Sequence, residues 1–538
     1  MLFATGIGVM LGLRFGVRAS NDRDLAIGVI AAFLAVFAAI LLAGEQRATA
    51  SSDTGATTAH TPDPARQIDG WFWFPPARER AFGTIELRPR DLRLTLRDSA
   101  RPQGAWREWA VIHGESLDGK ELTILGAFVT SRNDYANYDH NVERYRFNAL
   151  LIGAHVLDGA ELVFKRGVFH LRGLREWMSS DWHGRAPYAF ERLVAAPPRG
   201  LRRRFAAWRA RRQDDSDPDE LPHPLEVSLP GATLKLAYER SEGGTRFEEQ
   251  TIYDASAVVE LDTALPLDRW REEWGRPLLD LIVFATREQV VVERFDAIVF
   301  DNRLAEAVHP AIRRVASNHV WARREIEVVR PHVVDVRERG IRPYEHMLLP
   351  LGALAKDAPA KIARYFELYR ALGRTAAFFF VVLNARTIHE ENRLLNLMAF
   401  AEGYHRTFHD APPLIDEVHE RLKGDMLAAI EKQYRRVYEA PLTYANQQTQ
   451  RQRLKFLIGR AATAVPTLAD RKNAFRDALV ATRNQYTHQG ERQPNVIDDA
   501  DLHDHVERFI EVLEVNLLLD LGVDAGDIRE LHAQAHLS

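Results

Sequence analysis

The strongest constraint on this chain is a change of hydrophobic period near Pro343. Before it, from Gly70 to about Gly340, apolar residues fall in short runs cut by Gly, Pro and Asp-Gly. The first set comprises WFWFP, FGTIELRP, LRLTLRD, WAVIHG, ELTILGAFVTS, FNALLIGAHVL and ELVFKRGVFHL; the second comprises ATLKLAYE, SAVVELD, LLDLIVFA and QVVVERFDAIVF. Short β-branched and aromatic runs bounded by turn residues are strand signals. Asp118-Gly119 between two of them predicts a hairpin turn. Two packed sheets with a few helices would satisfy this pattern. After Pro343 the period becomes helical. KIARYFELYRALGRTAAFFFVVLNART and ENRLLNLMAFAEGYHRTFH are long and apolar, and DEVHERLKGDMLAAIEKQYRRVYE reads as one more exposed amphipathic helix. The last helix carries Val506, Phe509, Ile510, Leu513 and Leu517 on one stripe.

A second feature lies ahead of both regions. Leu25 to Ala43, LAIGVIAAFLAVFAAILLA, has no charged or strongly polar residue. At about 1.5 Å rise per residue it matches a hydrocarbon core of ~30 Å, and it lacks the polar stripe of a surface helix. It is read as a transmembrane helix. A signal peptide cut near Ala48-Thr49-Ala50 and an overextended reading frame are the other two readings. The expected fold class is therefore multidomain: a β-rich (α+β) N-terminal domain, then an all-α helical bundle, preceded by a transmembrane helix. The boundaries are an apolar segment at 1–44 containing the helix 25–43, a flexible linker at 45–68, the β-rich domain at 69–342 and the all-α domain at 343–538. The expected location is cytoplasmic, with anchoring to the membrane by the N-terminal helix as a variant.

Composition then narrows the chemistry. The 538 residues contain no cysteine, which excludes disulfides, cysteine zinc sites, iron–sulfur clusters and thiol nucleophiles. The formal charge of −4 offers no global field for nucleic acid, so any such contact must come from a local patch. One candidate is an Arg-rich, then acidic, insertion at 199–220. There Arg202, Arg203, Arg204 and Arg209 surround Phe205 and Trp208, just before the run DDSDPDE. The alternative is a solvated loop helix neutralised by that acidic run. No Gly-rich phosphate loop and no GxSxG elbow occurs. His405 and His409 stand at i, i+4 without an HExxH glutamate, and read as paired surface histidines rather than metal ligands. His503-Asp504-His505 reads as charge placement at a helix start.

The remaining constellation is Arg483-Asn484-Gln485-Tyr486-Thr487-His488. It follows a helix whose buried face includes Phe475, Leu479 and Thr482, with Arg483 in the last turn and His488 just beyond it. Arg offers a permanently charged fork for a phosphate, and His moves protons near neutral pH. The two suffice for cleaving RNA by internal 2′-OH attack, with no metal or other cofactor. Spacing alone is weak evidence in an Arg-rich chain, as Arg314 and His319 show.

This context resembles the HEPN superfamily of helical-bundle ribonucleases, whose signature is Arg, a polar residue, and His four to six positions on. The order of parts resembles ApeA-like anti-phage defence proteins. IHGESLDGKELTIL (112–125), LLIGAHV (150–156) and LREWMSS (174–180) are similar to that family's N-terminal pattern. Glu402, Tyr404 and His405, then RNQYTH, then a Leu-rich final helix are similar to its C-terminal one. The resemblance implies a HEPN bundle at the C-terminus and catalytic Arg483 and His488, with Asn484 in support. It also implies abortive infection triggered through the N-terminal domain, a homodimer with a composite site, and RNA, transfer RNA among the classes, as substrate. The phage-derived trigger is not legible. The alternative is a catalytically inert HEPN-type binding module in a membrane-tethered sensor.

Overall fold

A computed structural model describes residues 66–77, 79–97, 108–133, 142–157, 162–178, 224–245, 248–300, 323–330, 346–354, 357–385, 388–488 and 494–535. Residues Arg66–Ser538 form one compact unit.

The first half is a single thirteen-stranded sheet in the order β4-β1-β2-β3-β6-β5-β7-β13-β12-β8-β11-β10-β9. Its first six members are β1 (Arg66–Trp73), β2 (Ala81–Arg88), β3 (Asp91–Arg97), β4 (Glu108–Ser116), β5 (Glu121–Asn133) and β6 (Val142–Arg146). An additional β4–β5 pairing closes them into a barrel. The sequence dictates this by alternation. Leu92, Leu94 and Leu96 of β3 are buried while their neighbours are not. They meet Phe72, Ile85, Ile112, Ile124 and Tyr145 inside the barrel. The Asp118-Gly119 turn joins β4 to β5, with Gly119 at φ 81° and its N–H donating to Ser116 O at 2.9 Å.

The strand β5 has a longer free edge than β6 covers, and β7 (Ala149–Ile152) pairs with Leu122–Leu125 there. From that point the sheet continues, open, through β13 (Arg323–Val329), β12 (Val292–Phe300), β8 (Val163–Leu171), β11 (Glu248–Pro266), β10 (Ala232–Thr245) and β9 (Leu225–Leu229). All recorded pairings are antiparallel. In place of two packed sheets there is one sheet, part rolled and part open.

The open part is covered by helices. α1 (Leu174–Met178) follows β8, and α2 (Leu267–Trp270) leads through a π-turn at Arg271–Gly275 into α3 (Arg276–Thr286). Trp270 stacks on Phe164 with ring centroids 4.7 Å apart and donates its indole N–H to the Phe164 carbonyl. α3 contains the run LLDLIVFA, which reads as a strand in the sequence. A short apolar run fits either element. Here Pro277 opens the helix, and Leu278, Leu281, Ile282, Val283 and Phe284 are buried on several sides.

The second half is all helical: α4 (Leu351–Leu354), α5 (Ala358–Leu372), α6 (Arg374–Asn384), α7 (Glu390–Phe408), α8 (Asp416–Ala429), α9 (Arg435–Tyr444), α10 (Gln450–Ala464), α11 (Lys472–His488), α12 (Asp499–Asp520) and α13 (Ala525–Ala535). Its apolar faces join those of the open sheet and α3 in one continuous core. Polar ties cross the same boundary. Asn384 exchanges bonds with the Val290 backbone, Trp177 donates to Leu349 O at 2.8 Å, and Arg287 forks onto the fully buried Glu514. Burial pushes the Glu514 carboxyl up in pKa, against the attraction of Arg287.

Two further expectations are corrected. The membrane-anchored fold class does not hold: no helix among the described residues is long and apolar enough to cross a membrane. Even the longest, α12, carries Asp499, Asp501, Glu507 and Glu511 in its first half, which is solvated on one side, and the buried Glu514 and Asn516 in its second. The run 25–43 that prompted the expectation lies outside the described residues, as do linker residues 45–65 and the 199–220 insertion. The stretch DEVHERLKGDMLAAIEKQYRRVYE is two helices, α8 and α9, because Ile430 turns extended at φ −84°, ψ 137°. Arg435 then donates to the Ala428 and Ile430 carbonyls left open at that end.

Candidate active site

The helix α11 carries the Arg…His constellation. Phe475, Leu479 and Thr482 are buried at helical spacing, and Tyr486 packs against the same core. That stripe fixes the helix in rotation and leaves Arg483 and Asn484 half-buried beside it. Arg483 Nη1 donates to Asn484 Oδ1 at 3.1 Å, so the polar residue after the arginine holds the guanidinium in place. Thr487 Oγ1 donates back to the carbonyls of Arg483 (3.0 Å) and Asn484 (3.2 Å), tightening the last turn.

Thr482 does a further job with one hydroxyl. It donates to Ala478 O at 2.8 Å and accepts the Ile497 N–H at 2.9 Å, which draws the returning chain against the motif. His488 is the final residue of α11 rather than lying beyond it. Its backbone is therefore helical, five residues from Arg483: about 7.5 Å along the axis and about 140° around it. Asn484, four residues before His488, falls on the same side of the helix as His488. The His488 side chain lies outside the described residues, as do Arg202, Arg203, Arg204 and Arg209.

Beside α11, the bundle holds a buried polar network that the sequence reading does not anticipate. Asp520 of α12 accepts from Arg460 of α10 and from Tyr404 Oη of α7, and His409 Nε2 lies 3.3 Å from it. Arg460 also reaches Asn516 Oδ1 at 3.2 Å, and Asn516 Nδ2 donates to Leu457 O at 2.9 Å. Burial alone would raise the Asp520 carboxyl. The His409 and Tyr404 bonds and the Arg460 charge outweigh it and hold the group below the usual carboxylate range. Burial, then the Asp520 charge, pushes Tyr404 well up.

The expected pair of surface histidines is not at the surface. His405 is fully buried, and its Nδ1 lies 3.0 Å from Arg453 Nη1, while Arg453 Nη1 also pairs with Asp410 at 3.1 Å. Burial first, and then the Arg453 charge, lowers the His405 pKa to about 4. Among the described residues no group of three or more His, Asp or Glu could hold a metal ion. At the head of α12, His503 Nδ1 lies 3.1 Å from Glu390, and His505 Nδ1 lies 2.9 Å from Asp501 O. The signal for the buried network is in α10: Arg453, Leu457 and Arg460 stand at i, i+4 and i+7, two cations on a stripe that also carries a core leucine.

Residues 67–327 match the ApeA N-terminal domain 1, and residues 395–527 match the Apea-like HEPN domain. The chain is an ApeA-like HEPN protein. No curated protein and no solved structure matches it. The HEPN match runs from α7 through α12, so it encloses α11 with its motif, the α10 cations and the α8–α9 hairpin. The ApeA match covers the barrel and most of the open sheet. Within it, the segments 112–125 and 150–156 converge. His113 stacks on His155 with centroids 4.8 Å apart, and Thr123 Oγ1 donates to Ala154 O at 2.7 Å. The family is one of anti-phage HEPN nucleases.

Proposed function

We propose that this protein is a metal-independent endoribonuclease of phage defence, with Arg483 and His488 catalytic and Asn484 in support. The observation that carries this reading is the Arg483 guanidinium, hydrogen-bonded to Asn484 Oδ1 five residues before the end of α11, within the residues that match the HEPN family. A guanidinium held in that way offers its remaining N–H groups to a phosphate without first having to be ordered.

In the reaction, a ribose 2′-oxygen attacks the adjacent phosphorus, the P–O2′ bond forms and the P–O5′ bond breaks. The 2′-OH proton leaves to a base and the departing 5′-oxygen gains a proton. The products are a 2′,3′-cyclic phosphate and a 5′-hydroxyl. His488 serves one of these proton transfers. A helix C-terminus favours positive charge, which suits an imidazole that takes up a proton there. Arg483 neutralises the charge that grows on the five-coordinate phosphorus. HEPN domains typically act on RNA as dimers. The angular separation of Arg483 and His488 on one helix suits a site completed by the pair from a second chain. Transfer RNA is the substrate class we favour, and the β-rich half senses infection and releases the nuclease.

Arg483→Ala and His488→Ala, made separately, are expected to abolish growth arrest on overexpression and RNA cleavage in vitro, with circular dichroism unchanged. Full RNase activity in either variant overturns the assignment.

A further inference from the structure

The run WFWFP at the head of the barrel holds aromatic residues that the barrel core does not account for. Phe72 and Phe74 are buried in that core, whereas Trp71 stands on the outer wall and is 44% exposed. The solvated face of an antiparallel sheet ordinarily carries polar side chains. One row away the wall obeys this, with Asp69 opposite Thr84 and Thr84 opposite Thr95. The row of Trp71 departs from it. Trp71 meets Phe82 of β2 edge to face, with ring centroids 5.4 Å apart. Two residues along β1, Trp73 lies edge-on to His155 at 5.2 Å and to His113 at 5.9 Å. Those two rings stack, and each is fixed by its Nε2, His113 to Val156 O and His155 to Gly114 O, both at 2.8 Å. The five rings form a band across β2, β1, β4 and the segment that follows β7.

Guanidinium groups surround the band. Arg80 lies over the Trp73 ring, 4.9 Å from its centroid, and pairs with Glu115. The outward faces of β1, β2, β3 and β6 together carry five arginines against three carboxylates. Arg97, opposite Phe82, and Arg144, opposite Thr95, are both exposed. Among the described residues neither has a carboxylate partner. Exposed rings beside unpaired cations suit an unpaired nucleic-acid strand, whose bases stack on the rings while its phosphates meet the guanidinium groups. A duplex keeps its bases stacked on one another and offers the rings nothing to hold. An apolar peptide would leave Arg97 and Arg144 without a counter-charge.

We propose that this outer wall of the barrel binds single-stranded nucleic acid, with a base stacked on Trp71 and phosphates at Arg97 and Arg144. The wall lies in the ApeA-matched residues, outside the HEPN match that holds Arg483. It goes beyond the catalytic reading and does not rest on it.

The test is fluorescence anisotropy of the full chain with a short fluorescein-labelled oligouridylate whose riboses are 2′-O-methylated. That strand has no attacking hydroxyl, so binding is read whether or not the protein cleaves RNA. The unaltered protein is expected to bind it, Trp71→Ala to bind about tenfold more weakly, and Trp71→Phe to recover most of the affinity. Arg97→Ala should flatten the slope of log K against log salt by about 0.7, the share of one phosphate contact, while Trp71→Ala leaves the slope unchanged. Both side chains lie outside the barrel core, so circular dichroism should report the same fold throughout. Oligothymidylate of the same length separates the sources: equal affinity indicates any single strand, and a preference for the ribose strand indicates RNA. No binding by the unaltered protein, or a duplex bound as tightly as the strand, overturns the proposal. So does an affinity that Trp71→Ala leaves unchanged, which would give the wall to a protein partner.

Discussion

At the scale of single residues, the bundle places groups where water would ordinarily be needed to stabilise them. His405 is the clearest. Arg453, His409, Asp410 and Phe456 surround it, and Arg453 Nη1 donates to its Nδ1, an acceptor that exists only in the neutral ring. With the folded pKa at about 4 and the usual value at 6.5, an unfolded chain takes up a proton through that window and the folded one does not. The stability His405 contributes is full above about pH 6.5 and is lost as pH falls toward 4. Asp280 acts in the opposite sense. Burial raises it to about 6, against the pull of Arg276 and the hydrogen bond from Tyr369, so the folded protein gains stability as pH falls from 6 toward 3.8. His405→Gln should therefore lessen the acid loss of stability in this window, and Asp280→Asn should steepen it, both read by urea unfolding at several pH values. Curves parallel to that of the unaltered protein would contradict both assignments.

At the scale of elements, the candidate site depends on α11 and what holds its end. Thr482→Val keeps the shape but leaves the buried Ile497 N–H without its acceptor, a loss of about 1–3 kcal/mol. It should also reduce RNA cleavage, since the returning chain at 494–498 is drawn in beside Arg483. Unaltered activity together with unaltered stability would show that the hydroxyl does neither. This element was legible in the sequence: Phe475, Leu479 and Thr482 mark its inner face, and Arg483 and Asn484 sit just outside it. Its length was not, because nothing in QYTH stops a helix before Gly490. The same limit explains α3, whose run LLDLIVF is apolar enough for either element and is settled by the sheet it lies on. The barrel was illegible for a different reason. Each strand shows its alternation, but closure depends on β1 and β5 both pairing with β4, and no local pattern records a pairing of distant strands. Arg453 and Arg460 were missed because a cation on a core-facing stripe is recognised only once Asp410 and Asp520 are seen opposite it.

At the scale of the whole molecule, the two matched regions are two families of sequence but one packed body. The core runs from the open sheet through α3 into the helical bundle, and the buried Arg287–Glu514 pair sits on that boundary. A barrel with its own separate core stands at one end of the sheet. The open sheet and the bundle should therefore unfold together, in one calorimetric transition whose enthalpy matches its van't Hoff value, and two resolved transitions assigned to them would contradict a shared core. Such continuity, with Arg287 beside α3 paired to Glu514 of α12, ties the ApeA half directly into the bundle. The chemistry of RNA ends after induction in cells, compared between the unaltered protein and His488→Ala, tests the role proposed for His488. New fragments that end in 2′,3′-cyclic phosphate are expected with the unaltered protein and not with the variant. Fragments with 3′-hydroxyl ends, or the same cyclic ends in both, would contradict that role.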